Sequence, residues 1–273
     1  HGALLAAVGA AECIVYSGGS QIPLDPWLVA IERHVDVYLQ SRDADTEALV
    51  LPAMLAAFAH RSPRHRLTLV LADRAAHMLD QPRFANHLGM LGSLSFVFTM
   101  CGDAARLETL RQRFEAMRLP SDRSPLAIAH WYVASIFFRA VSGDLAGARA
   151  DAAEAIKFLD RSPNNPIKVR TMVRIAQGFT AGGDAINARR VLDAVAPLIG
   201  PDNCYDRSVL EHMRAIGALV DGDTANAVRH FETCLEAATQ AGRPSGLGAM
   251  TGNAALAAVE HGDFERAEAL LAQ

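Results

Sequence analysis

The chain has 273 residues, 51% of them hydrophobic and 21% charged, with a net charge of −4. That is apolar enough to bury a sizeable core and excludes a disordered tail. The balance of 26 basic against 30 acidic residues excludes the basic excess of a nucleic-acid-binding surface.

The opening residues, HGALLAAVGAA, already read as helix, with no basic stretch before them to mark a signal peptide. Gly18-Gly19 ends that helix. PLDPWLVAIERHVDVYLQ reads as its partner, with Asp25 as cap and Pro26 at the first helical position. Residues 45–60 and 64–80 read as a second pair, joined through HRSPRHR and carrying Pro52 early in the first helix. Residues 84–102 form the longest uncharged run, 19 residues, long enough to cross a bilayer. Its Asn86, His87, Ser93, Ser95, Thr99 and three glycines favour a buried central helix instead.

From residue 82 one signal recurs. Gly102-Asp103 is followed by Leu107, Gly143-Asp144 by Ala148, Gly183-Asp184 by Ala188, Gly222-Asp223 by Ala227 and Gly262-Asp263 by Ala267. Successive aspartates are 41, 40, 39 and 40 residues apart. Glycine accepts the left-handed conformation that ends a helix, and aspartate caps the helix that follows. Each pair is therefore expected to be a tight joint between antiparallel helices. Apolar helices are expected before the joints, over residues 86–100, 126–141, 167–181, 208–220 and 247–260. Amphipathic ones follow, such as LAGARADAAEAIKFLD. Proline marks the loops between units: Pro82, Pro125, Pro163 and Pro166, Pro201, Pro244. The count is about seven helix pairs, and no stretch alternates long enough to be a strand.

These residues resemble the tetratricopeptide repeat. Residues 170–197 match through Ile175, Ala176, Phe179, Gly183, Asp184, Ala188 and Leu192. Residues 94–107 match through Leu94, Ser95, Phe98, Gly102 and Asp103, and residues 222–231 through Gly222, Asp223, Ala227 and Phe231. The resemblance covers residues 82–273, with 1–81 a divergent set of N-terminal helical repeats. It implies an all-α, right-handed solenoid, one continuous array with a period near 40 rather than the standard 34. Longer units of this kind look like the arms of bacterial MalT-like, LuxR-type and SARP-type transcriptional regulators. In those families the arm receives a signal while other domains bind nucleotide or DNA. The chain is Arg-rich, with Lys157 and Lys168 its only lysines, which fits a bacterial source with a GC-rich genome; a cytoplasmic location is expected. Both ends stop mid-pattern, so a larger parent protein is expected.

Counting back from each aspartate gives the first-helix residues expected to face a concave groove. The candidates are Phe96, His130, Phe137, Arg170, Gln177, His212 and Ile216. Carboxylate clamps of the repeat family place Lys, Arg and Asn there. Here only Arg170 and Gln177 are polar in that manner, so an amphipathic partner helix fits better than an anionic peptide tail. Packing inside the superhelix is the competing reading, since apolar stripes are usually core. The expected partner is a protein or flanking domains of the same chain, with a small-molecule effector as the alternative.

No catalytic residue, metal ligand or cofactor is expected. The four cysteines, Cys13, Cys101, Cys204 and Cys234, form no Cys-x-x-Cys pair. His60 and His65 flank an Arg-rich loop without the acids that would complete a metal site. Cys234 with His230 lacks an orienting third group. Trp27, Trp131 and Tyr132 are expected in the core. Phosphate-loop, zinc-protease, nucleophile-elbow and dinucleotide motifs are all missing, so the expectation is a binding module, not an enzyme, with neither membrane nor direct nucleic-acid contact.

Overall fold

A computed structural model describes residues 2–39, 43–117, 125–161, 166–244 and 246–272. His1, Gln40 and Pro163, used in the sequence reading, lie outside the described residues. Those described form fourteen α-helices, two short 3-10 turns and no strand. The fold is all-α. None of these helices is long and apolar enough to cross a membrane.

Contacts divide the chain into two compact units. The first holds His1–Ser17 and Gln21–Ala134. The second holds Gly18–Ser20 and Ser135–Gln273. The division falls within a helix, Pro125–Val141.

Unit 1 contains α1 (Gly2–Tyr16), α2 (Asp25–Leu39), α3 (Ala44–Arg61), α4 (Arg66–Leu79), α5 (Leu88–Cys101), α6 (Ala104–Glu115) and the start of α7 (Pro125–Val141). Helix α3 packs against α1, α2, α4 and α5. It is the most enclosed helix of the unit, with Leu51, Met54, Leu55, Ala57 and Phe58 all buried. The uncharged α5 was expected to be central, but its C-terminal Thr99, Met100 and Cys101 are exposed. Asp25 also departs from its expected role. It lies inside α2 and accepts two hydrogen bonds from Arg61, at 2.7 and 2.9 Å. Trp27 is exposed rather than in the core.

Unit 2 contains the rest of α7, then α8 (Leu145–Asp160), α9 (Pro166–Ala181), α10 (Ala185–Val195), α11 (Cys204–Val220), α12 (Thr224–Gln240), α13 (Leu247–His261) and α14 (Phe264–Leu271). Helix α9 packs on α8, α10 and α11, and α12 packs on α11 and α13. One core cluster joins Ala215, Ala227, Phe231, Ala254, Ala255, Ala257 and Leu270. Small side chains dominate it, so the helices approach closely. Helix α11 begins at Cys204, four residues before the expected start. The first-turn N–H groups of Tyr205 and Asp206 donate to the Gly18 carbonyl, at 3.0 and 3.2 Å. A residue far away in sequence thus supplies the cap.

The Gly-Asp pairs share one turn. All five glycines have positive φ, from 68 to 88°. Each following aspartate donates its backbone N–H to a carbonyl five residues back, for example Asp184 to Phe179 at 2.8 Å. This is the Schellman closure of the preceding helix. The same aspartate's carboxylate accepts from the N–H three residues on: Arg106, Gly147, Asn187, Asn226 and Arg266, at 2.9–3.3 Å.

Ion pairs run from second helices to the neighbouring helix pair. Within unit 1, Arg106 meets Asp73 at 2.8 Å and Arg113 meets Asp80. Within unit 2, Arg149 meets Asp184 at 3.1 Å, Arg189 meets Asp221, and Arg266 meets Glu232 at 3.3 Å.

Two unit 2 glycines should respond in opposite ways to an added methyl group. A Cβ at Gly182 would lie 2.7 Å from both the Ala140 Cβ and the Ala140 carbonyl oxygen, whereas one at Gly217 meets nothing within 4 Å. Gly182→Ala is expected to destabilise by about 1–3 kcal/mol. Gly217→Ala, within α11, is expected to stabilise by about 0.5–1 kcal/mol. Urea unfolding of the two variants measures both signs.

Candidate functional site

Most of the polar candidates come together in unit 2. Arg170 and Arg174 lie one turn apart on α9, and Gln177 follows on the same face, where its side-chain oxygen accepts from Arg174 Nη1 at 3.1 Å. Facing them, the first turn of α11 presents Tyr205, which is fully buried at 1% exposure. The third contributor comes from the turn after α12. Gly242 has φ +59°, and the Arg243 N–H donates to the Ala238 carbonyl at 3.1 Å. This is the Gly-Asp turn with arginine in the aspartate's place.

The three guanidiniums converge on the Tyr205 ring. Arg243 Cζ lies 4.5 Å and Arg170 Cζ 4.7 Å from its centroid. Arg174 Nη2 donates towards the phenol oxygen at 3.5 Å. Such cation–aromatic contacts strengthen when desolvated, and Arg170 and Arg243 are both buried. Asp206, also buried, lies 3.5 Å from Arg170 Nε. Arg243 Nη1 donates to Ser208 Oγ at 3.3 Å. Burial by itself would push the Tyr205 phenol up, but the three positive charges, Arg243 foremost, pull it below its ordinary value. Burial also pulls Arg174 down, and the like charges of Arg170 and Arg243 add to that.

His212, two turns along α11 from Tyr205, lies 3.1 Å from the Asn253 amide of α13. Burial, helped by the Arg243 charge, brings its pKa down to about 4. Arg170, Gln177 and His212 are thus drawn into one neighbourhood, through Arg174 and Arg243. Ile216 instead packs against the core cluster of α11–α14. Phe137 meets Phe138 edge-on at 5.6 Å. Phe96 and His130 belong to unit 1. Phe96 stacks on buried His60 at 4.6 Å, and His130 Nε2 lies 2.9 Å from the Tyr16 hydroxyl.

Arg174, Tyr205, Asp206 and Arg243 were absent from the sequence candidates. Arg174 carried a usable signal, standing four residues after Arg170 and hence on its helix face. Arg243 carried none, because its direction depends on the turn after α12.

Three residues weighed in the sequence for chemistry, His230, Cys234 and His65, have plain structural surroundings. His230 Nδ1 lies 2.6 Å from Glu211, which also accepts from Arg214 at 3.1 Å. Burial pushes the Cys234 thiol up to about 12, so it stays protonated and is a poor nucleophile. His65 Nδ1 caps α4 by accepting from the Leu67 N–H at 3.3 Å. Among the described residues no group of three or more His, Cys, Asp or Glu could hold a metal ion.

No family model matches this chain, and neither does any curated protein. Among solved structures, the crystal structure of BtubC (BKLC) from P. vanneervenii is similar at 14% identity, over 74% of this chain and 84% of that one, with a TM-score of 0.41. That likeness is too slight to bear on function.

His212 sets a pH dependence. Its folded pKa of about 4 lies below the ordinary 6.5. As pH falls through that window the unfolded chain takes up a proton that the folded chain refuses, so stability is lost. The loss attributable to His212 is about 2–3 kcal/mol on going from pH 7 to pH 4. His212→Gln should flatten the curve over this range, as read by urea unfolding at several pH values.

Proposed function

We propose that the chain is a tetratricopeptide-like helical-repeat array, a right-handed α-solenoid, whose role is to receive a protein partner or signal within a larger bacterial regulator. The observation that carries this reading is the shared Gly-Asp turn, with the same two hydrogen bonds at five places about 40 residues apart. Repetition at that period is characteristic of repeat arrays, in which each helix pair buries its apolar stripe only against neighbours. Packing of α1 on α3 and α3 on α5 in unit 1, and of α9 on α11 in unit 2, supports it. The receiving surface in this reading is the first-helix face, on which Gln177 of α9 is part-exposed. Occupancy there would change how neighbouring pairs pack and so bias attached domains. The regulator role rests on the resemblance of the repeats to the arms of MalT-like, LuxR-type and SARP-type proteins.

A photo-crosslinking residue at Gln177, on α9, should capture a partner from the native cell. The same residue at Ile186, exposed on α10, should not. Equal capture from both faces, or from neither, would remove the case for a receiving face.

A second reading, a small-molecule effector site, is favoured by one observation: three guanidiniums surround Tyr205 in unit 2.

A further inference from the structure

We propose that the α13–α14 hairpin docks an amphipathic helix of a partner protein, one with an apolar face flanked by Lys or Arg. This surface is separate from Gln177 on α9, so the inference stands or falls apart from the receiving-face reading.

The first argument is register. The eighth residue after the joint aspartate is Ala152, Leu192 and Phe231 in three successive pairs of unit 2, and all three are buried. In α14 the same position is Leu271, which is 71% exposed. The seventh residue before the aspartate is Phe137, Gln177 and Ile216, each part-buried, whereas Leu256 of α13 is 51% exposed. The preceding pair shows what covers such positions. Phe231 of α12 shares a core cluster with Ala254, Ala255 and Leu270 of the next hairpin, and Ile216 of α11 packs against that cluster. The α13–α14 hairpin therefore offers in the open the surface that α11 and α12 fill with apolar helices.

The second argument is the make-up of that surface. On α13, Ala249, Gly252, Leu256 and Val259 share one face and are all exposed. No charged residue lies between Leu247 and Val259. On α14, exposed Phe264, Glu268 and Leu271 follow at helical spacing. Single exposed apolar side chains are ordinary, but a group of them marks an interaction site.

Charge then selects the occupant. Glu260, Glu265 and Glu268 are exposed on this hairpin. Its one arginine, Arg266, is engaged by Glu232 of α12 at 3.3 Å. A second copy laid face to face would set these acids against each other, which is costly. A helix with Lys or Arg beside its apolar face satisfies both the leucines and the acids.

Anisotropy titration of the whole chain with two fluorescent synthetic helices tests this. Both have the same leucine–alanine face; one carries Lys on its flanks and the other Glu. The Lys helix should bind saturably and at least about tenfold more tightly than the Glu helix. Leu256→Ser and Leu271→Ser should each weaken its binding about tenfold, with thermal unfolding unchanged by circular dichroism. Glu268→Lys should narrow the preference between the two helices. Ile186→Ser, at an exposed apolar site on α10, should leave binding as it is. The proposal is overturned if the Lys helix does not bind, if both helices bind equally, or if Leu271→Ser binds as tightly as wild type. Self-association of the wild type in sedimentation, abolished by Leu271→Ser, would assign the surface to a second copy and overturn it too. Crosslinking at Gln177 is read independently, so failure here leaves the receiving-face reading to its own test.

Discussion

One aspartate at each joint serves two helices. Its backbone N–H closes the helix before it, and its carboxylate caps the helix after it. Both tasks require the preceding glycine to be left-handed, a conformation that costs L-residues with a side chain far more. The turn therefore sets the direction in which one helix leaves the other, and the packing of each pair follows. Ala148, Ala188, Ala227 and Ala267 are buried one turn beyond their joints. At those positions a small side chain lets the second helix lie close against the first. The apolar core is assembled between helices whose angles have already been set locally.

That local control explains what could be read from residues alone. A Gly-Asp pair acts through its own backbone, so its role is visible in sequence wherever it occurs. Helix boundaries set by distant groups are not visible in this way. The start of α11 depends on the Gly18 carbonyl, some 190 residues away, and appears in sequence only as an unremarkable CYDR. Asp25 likewise has the look of a cap, but Arg61 claims its carboxylate. Trp27 has the look of core, yet the buried face of α2 is formed by Leu28, Ile31 and Val35.

The candidate site shows the same boundary between local and tertiary information. Counting along a repeat found Arg170, Gln177 and His212 but passed over Arg174, whose long side chain reaches round to the same place. It could not find Arg243, which arrives through a turn between pairs rather than on a first helix. An apolar groove is the reading from sequence because neither Tyr205 nor Arg243 stands at a counted first-helix position. Their juxtaposition makes the region cationic, and only the packing of α9, α11 and the turn after α12 creates it.

The ion pairs of the second helices act differently from the joints. Most of their side chains are well exposed, so each contributes little to stability and is weakened by salt. They run from one helix pair to the next, unlike the turns, which act within a pair. Where one pair meets the next, apolar packing such as that of α12 on α13 carries the contact. The exposed ion pairs add a small, salt-sensitive contribution to it, while the hairpins owe their shape to joints that salt screens far less.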